Sequence, residues 1–214
     1  MSPGPIRVLL VDDHAVVRAG YRSLLADSGT IEIVAEADSG ELACRHYADY
    51  TPDVVVMDLS LPGMGGLEAI RRIRARDPEA RVLVFSMHDD TVFMDQAINA
   101  GARGYITKNS APDVLVEAIT QVAAGRTYLE AEAAQRLAFQ KMRGKDSPFS
   151  ELSTREFEIC CLLAEGFNTS EIAKRLSLSY KTVANYSTLI KNKLNVNTVA
   201  ELTRLAIRHN IVQP

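Results

Sequence analysis

Three acidic residues, a hydroxyl and a lysine stand at the ends of short apolar runs in the first half of a 214-residue chain: Asp12 and Asp13 after IRVLLV, Asp58 after DVVVM, Ser86 closing RVLVFS and Lys108 closing RGYITK. If those runs are neighbouring strands, the five meet at one edge of a sheet. Carboxylates gathered there repel and raise one another's pKa unless a cation neutralises them. A hard, oxygen-liganded ion such as Mg2+ suits the place, since it takes one or two carboxylates with water and a phosphate oxygen. Phosphoryl transfer needs an in-line nucleophile, a metal to offset charge on the equatorial oxygens and a cation or hydroxyl for the remaining ones. Asp58 is the best nucleophile, Lys108 suits an acyl phosphate, and the Ser86 hydroxyl can donate to it. Taken singly, Asp13 reads as a helix cap, Asp58 as a loop cap and Lys108 as a surface cation; five together at strand ends favour a site. His14, beside the acidic pair, reads as a helix-start residue rather than a phosphorelay histidine.

Such a site needs a sheet. From residue 6 to about 125, five β-branched runs alternate with stretches of helical spacing, and Val54-Val55-Val56-Met57 is apolar throughout, as a central parallel strand covered on both faces would be. The pattern predicts an α/β fold with a doubly wound, five-stranded parallel sheet, flavodoxin-like, whose ligands bind beyond the carboxyl ends of the strands. In the loop DLSLPGMGGLEA, Pro62, Gly63, Gly65 and Gly66 fix a turn and permit close backbone approach around Asp58.

After Gly125 the pattern changes. Residues 126–149 read as a linker with a helix around 130–142 and then a Gly144-Lys145-Asp146 break, and residues 150–214 read as an all-α module of four helices. Ser153 with Glu156, and Asn168 with Glu171, have the spacing of capping boxes; Ser179 caps a third helix through about 194, and Thr198 with Glu201 a fourth through about 209. Helices at 169–176 and 180–194 joined by a tight Ser-Leu-Ser turn have helix-turn-helix geometry, which offers the second helix to a DNA major groove. Ile172, Ala173, Leu176, Leu178, Val183, Leu189, Ile190 and Leu194 form the buried side. Lys181, Thr182, Asn185, Tyr186, Thr188, Lys191 and Lys193 are the candidate DNA contacts, Asn185 for paired hydrogen bonds to adenine and the lysines for phosphates. Without further information, a protein-binding module with a solvated polar face fits equally well.

The net charge of −3 is unevenly shared. Residues 1–125 hold 11 Lys+Arg against 18 Asp+Glu, residues 126–147 hold 5 against 3, and residues 148–214 hold 8 against 6, so an acidic, cation-seeking piece precedes a mildly basic one. The three cysteines, Cys44, Cys160 and Cys161, show no metal-ligand spacing and read as reduced, buried thiols. With no run of eighteen apolar residues and no signal-like start, the chain is expected in the cytoplasm and away from membranes.

The stretch from VDDH through MDLSLPGMGG, VLVFS and GYITK resembles the receiver (CheY-like) domain of two-component response regulators, over residues 6 to about 125. ELSTREFEICCLLAEGFNTSEIAKRLSLSYKTVANYSTLIKNKLNVNTVAEL resembles the LuxR-type effector of the NarL/FixJ subfamily, and the ending ELTRLAIRHNIV is similar to GacA/UvrY-like members. The resemblance implies a receiver at 1–125 and a LuxR-type helix-turn-helix domain at 150–214. Asp58 would be the phosphoacceptor, with Asp12, Asp13, Asp58 and the Ser60 backbone carbonyl serving Mg2+. Ser86 would be the switch hydroxyl, Lys108 the phosphate-binding lysine and Tyr105 the aromatic that follows Ser86. A sensor histidine kinase, double-stranded DNA half-sites, a second copy of the chain through the last helix, and RNA polymerase are the implied partners of a transcription factor that is not an enzyme.

Several positions depart from the pattern. Asn109 stands where many receivers have proline; a cis bond there would cost about 3 kcal/mol, so trans is expected. Ala184, Tyr186 and Thr188 replace residues that are often basic or histidine. A phosphatase of the haloacid-dehalogenase type is the competing enzyme reading, but it requires a DxD pattern at the first strand where this chain has adjacent Asp12-Asp13.

Overall fold

The computed structural model describes residues 4–142 and 147–212, excluding the side chains at 140 and 141. The Gly144-Lys145-Asp146 break lies outside them. Two compact units divide the chain: residues up to Asp89 with Ala97–Ala131, and Asp90–Gln96 with residues from Glu132 onward.

The first unit is a parallel sheet in the order β2-β1-β3-β4-β5-β6, comprising Ile6–Val11 (β1), Ile31–Ala37 (β2), Val54–Met57 (β3), Val82–Ser86 (β4), Gly104–Thr107 (β5) and Tyr128–Leu129 (β6). Between the strands in chain order come α1 (Ala15–Asp27), α2 (Gly40–Tyr50), α3 (Gly66–Arg76), α4 (Thr91–Ala100, of which only the part from Ala97 belongs to the first unit) and α5 (Pro112–Ala123). Alternate residues serve opposite faces of the strands. Val8, Leu10, Val54, Val56, Leu83, Phe85 and Ile106 join Leu25 of α1 and Leu115, Ala118, Ile119 and Val122 of α5 in one buried cluster. Their neighbours Leu9, Val11, Val55, Met57 and Val84 are buried as completely, so both faces are covered, as the unbroken apolar runs require.

The five strands expected of the receiver are present as β1 to β5, and a sixth joins their edge. Tyr128–Leu129 pairs in parallel with Gly104–Tyr105 inside what read as linker, and two residues are too few to show the period-2 alternation by which strands are recognised. The linker helix follows as α6 (Ala131–Met142).

The second unit continues with a 3-10 turn (Pro148–Glu151), α7 (Thr154–Ala164), α8 (Thr169–Arg175), α9 (Tyr180–Lys193) and α10 (Val199–Arg208). Local chemistry sets each start. Ser153–Glu156 and Asn168–Glu171 form complete capping boxes, and the Ser179 and Thr198 side chains accept from the backbones of Thr182 and Glu201. α8 ends in a left-handed residue, Ser177 (φ 52°), with Leu178 N donating to Ala173 O at 2.8 Å. This Schellman closure makes the sharp turn into α9. α7 packs on α8, α9 and α10. Of the thiols only Cys160 is buried, which pushes its pKa up to about 12; Cys44 and Cys161 are partly exposed, contrary to a uniformly buried set.

Candidate functional site

The carboxyl ends of β1, β3, β4 and β5 bring the expected acidic, hydroxyl and lysine side chains together. Asp58 leaves β3 with its N–H donated to Val11 O (3.0 Å), and Asp12 leaves β1 with its N–H donated to Ala37 O (3.0 Å). Lys108 N donates to Ser86 O (2.8 Å), fixing the exit of β5 against the end of β4. Gly66 at the start of α3 presses on the same place: a Cβ there would overlap Asp58 O and lie 2.7 Å from Leu59 Cα. The loop before it is tied by Glu41 Oε1, which accepts from Met64 N (2.9 Å).

Lys108 Nζ lies 2.6 Å from both Asp12 Oδ2 and Asp58 Oδ2, and all three side chains are almost wholly buried. Burial alone would lower the Lys108 pKa; hydrogen bonds and charge from Asp12 and Asp58 outweigh it and hold the ammonium above its usual value. Ser86 is fully buried, and its Oγ accepts from His88 N (3.3 Å). Tyr105 is buried with its hydroxyl donating to His88 O (2.7 Å). Among the described residues no peptide bond is cis, so the Lys108–Asn109 bond is trans as expected. Beyond it Thr107 Oγ1 and Ser110 Oγ share a hydrogen bond (3.0 Å), and Ser110 Oγ donates to the Glu130 carboxylate, which joins the segment after Lys108 to the end of β6.

Three carboxylates against one ammonium leave an excess of negative charge. Asp13 Oδ1 is buried and accepts no well-directed hydrogen bond, although His14 Nδ1 lies 2.7 Å away. Oxygens of Asp12 and Asp13 and a nitrogen of His14 lie within 4.8 Å of one another. A buried carboxylate oxygen that accepts no well-directed hydrogen bond, in an acidic setting, fits a hard divalent cation. His14 begins α1 with its N–H donated to Asp12 Oδ1 (2.8 Å), the helix-start place expected of it.

In the helical unit, α9 presents Lys181, Asn185 and Thr188 to solvent, with Thr182, Tyr186 and Lys191 partly buried. Thr182 Oγ1 is engaged with Ser179 Oγ (2.7 Å), and Thr188 Oγ1 donates to Ala184 O (3.2 Å). Lys193 is occupied, with Nζ 2.7 Å from Glu156 Oε2.

Residues 8–120 match the response regulator receiver domain and residues 150–206 match the bacterial regulatory proteins of the luxR family. The response regulator UvrY of Escherichia coli K12 is 40% identical over 208 residues, covering 96% of this chain and 95% of that protein. The response regulator GacA of Pseudomonas aeruginosa is 40% identical over 209 residues, covering 97% and 98%. The chain belongs to the NarL/FixJ response regulators. Among solved structures, RcsB of Salmonella enterica serovar Typhimurium, bound to a promoter in the presence of the phosphomimetic BeF3−, is similar with a TM-score of 0.71 and 26% identity over 94% of this chain and 98% of that one. This response regulator is therefore a receiver joined to a LuxR-type DNA-binding domain, and regulates transcription.

Sequence reasoning missed His88 in the receiver. It lies on the loop after β4, partly buried, with hydrogen bonds to Ser86 and Tyr105, and its Nε2 is 3.3 Å from Ser60 Oγ on the loop after β3. Burial lowers its pKa against the opposing charge of Asp58. The one usable signal was the adjacency of β3 and β4, which sets those loops side by side. In the LuxR-type domain Leu189, expected on the buried side, is instead 44% exposed. Val183 and Ile190, seven residues apart, mark the inward line; Leu189 falls one helical step off it, four residues from exposed Asn185.

Proposed function

We propose that Asp58 is the phosphoacceptor through which a sensor histidine kinase controls DNA binding by the 150–214 domain, with the receiver at 1–125 and a linker at 126–149. The observation that carries this reading is the buried Lys108 ammonium shared at 2.6 Å by Asp12 and Asp58 at the strand ends. It sets the Asp58 carboxyl group against the cation that an acyl phosphate would need. Asp12, Asp13, Asp58 and the Ser60 carbonyl would hold Mg2+, which would supply charge neutralisation on the transferred phosphoryl group. Lys108 then turns from carboxylate to phosphoryl oxygen, and the Ser86 hydroxyl donates to another. Displacement of Ser86 releases His88 N and, through His88 O, the Tyr105 hydroxyl, so that Ser86 and Tyr105 form one switch.

Output runs through α9, with Lys181, Thr182, Asn185, Tyr186, Thr188, Lys191 and Lys193 as the proposed DNA contacts, and through a homodimer formed by α10 that matches two half-sites. RNA polymerase is the further partner at a promoter. A protein that takes phosphate from a kinase and reads DNA acts in the cytoplasm; no helix of the described residues is long and apolar enough to cross a membrane. Turnover of phosphate esters is not part of this function, because the first strand ends in Asp12-Asp13 rather than DxD. The test is incubation with Mg2+ and acetyl phosphate: the wild-type chain is labelled, and Asp58→Asn is not. Robust labelling of the variant removes Asp58 as the acceptor, and steady release of phosphate from esters restores the enzyme reading.

A further inference from the structure

Arg18, near the start of α1, reaches back to the strand ends. Its Nη1 donates to Asp12 O (2.5 Å), and its Nε lies 3.4 Å from Glu36 Oε2 near the end of β2. The side chain is 17% exposed, and the Nε is buried without a well-directed hydrogen bond. A charge held out of water against a partner of indifferent geometry contributes little net stability, so the pair with Glu36 is a poor reason for the burial. The bond to Asp12 O is a better one. That oxygen belongs to the planar peptide joining Asp12 to Asp13, so whatever holds it sets the direction in which Asp13 leaves. Asp13 needs such a hold, because its own buried Oδ1 accepts no well-directed hydrogen bond. Behind Arg18 the anchor is itself braced: Glu36 Oε1 lies 2.8 Å from Arg22 Nη1, and Glu36 O accepts from His46 Nδ1 (2.9 Å). Asp12 N donates to Ala37 O (3.0 Å), so Asp12 is tied to the end of β2 on both sides of its Cα.

We propose that Arg18 is a positioning residue for the Mg2+ site: it clamps the Asp12–Asp13 peptide against β2 and so holds both carboxylates ready for one ion. The inference rests on the reading that Asp12, Asp13 and Asp58 hold Mg2+. Two roles for Arg18 differ in sign. If it acted through charge alone, its removal would leave Glu36 and the aspartates with a larger negative excess, and Mg2+ would bind more tightly. As a clamp, its removal lets the peptide turn, the two carboxylates no longer start from their binding arrangement, and Mg2+ binds more weakly.

The experiment titrates the full chain with Mg2+ alone and follows the rise in its thermal unfolding midpoint, which yields a dissociation constant whatever the starting stability of a variant. Arg18→Ala raises that constant about tenfold, the low end of what losing the support of a metal ligand does to a site. Arg18→Ala combined with Glu36→Gln removes the pair without changing net charge and is weakened to the same extent. Arg18→Lys keeps the charge but replaces a planar fork by a single ammonium; it binds about threefold more weakly than wild type and decides the matter if Arg18→Ala does not fold. Labelling by acetyl phosphate is the second readout. Arg18→Ala needs about tenfold more Mg2+ for half its maximal rate, and comes within about twofold of the wild-type rate once Mg2+ saturates. Mg2+ binding that is unchanged or tighter in Arg18→Ala, a double variant or an Arg18→Lys chain that binds as wild type does, or labelling that stays slow at saturating Mg2+ overturns the clamp. A wild-type chain whose midpoint ignores Mg2+, or an Asp13→Asn chain that responds as strongly as wild type, overturns the metal reading itself and is seen before any Arg18 variant is made.

Discussion

Lys108 sits between two carboxylates that are 4% and 5% exposed, and that placement makes it a structural as well as a chemical residue. Lys108→Ala leaves Asp12 and Asp58 facing each other in a poorly solvated place, the circumstance in which removing one member of a buried ionic group costs about 3–5 kcal/mol. Urea unfolding without divalent cation should register a loss of that order, and added Mg2+ should recover more stability in the variant than in the wild type, since the ion replaces the missing charge. Equal Mg2+ effects in both proteins would count against a shared metal and ammonium site. The pH dependence follows from the raised pKa. The ammonium's contribution is fully present below its unfolded value of about 10.4 and is lost as pH rises through the higher folded value. Alkaline titration of stability above that point should therefore show a fall in the wild type that Lys108→Ala lacks.

Helix starts and strand ends govern what surrounds these residues. Gly66→Ala at the first position of α3 would drive a Cβ into Asp58 O, and overpacking of this kind costs about 1–3 kcal/mol. The variant should unfold at lower urea and accept phosphate from acetyl phosphate more slowly; a normal labelling rate would mean that the loop yields without moving Asp58. Lys193 ties the last turn of α9 to the cap of α7 through Glu156, whose pKa burial would raise but which the bonds from Lys193 and Ser153 bring below the usual carboxylate value. With the lysine side chain 34% exposed, Lys193→Ala should cost about 1 kcal/mol. Because the folded pKa is depressed, the pair stabilises above about pH 4.3 and loses its effect as pH falls through the folded value, so the gap between variant and wild type should close in acid. These elements also mark what the sequence makes legible. The capping boxes at Ser153 and Asn168, and the strand ends at Asp12, Asp58, Ser86 and Lys108, depend on residues a few positions apart or on a repeated period, and such signals survive in one dimension. The capture of Lys193 by Glu156 spans 37 positions, and the approach of His88 to Ser60 spans 28; both are set by how elements pack. β6 was missed because its two residues earn their strand conformation only from the waiting edge of β5.

Charge divides the whole molecule as sharply as fold does, with a net −7 over residues 1–125 against +2 over residues 148–214. Phosphorylation makes the acidic part more negative, so if it acted on DNA by simple electrostatics it would weaken binding and change the dependence on salt. A response regulator that works by shifting its population between states behaves differently. The bound complex makes the same phosphate contacts whichever route populates it, so phosphorylation should move the affinity at a given salt concentration while leaving the slope of log affinity against log salt unchanged. Removing a phosphate contact changes the slope as well as the affinity. Lys181→Ala should reduce the slope by about 1 for each copy bound, and Asn185→Ala should keep the slope but blunt discrimination between DNA sequences. Titrating one DNA duplex at several salt concentrations with the phosphorylated chain, Asp58→Asn, Lys181→Ala and Asn185→Ala separates these effects. A slope that changes between the phosphorylated chain and Asp58→Asn would mean that the receiver's charge acts on DNA directly, and the two-state account of its control would have to be given up.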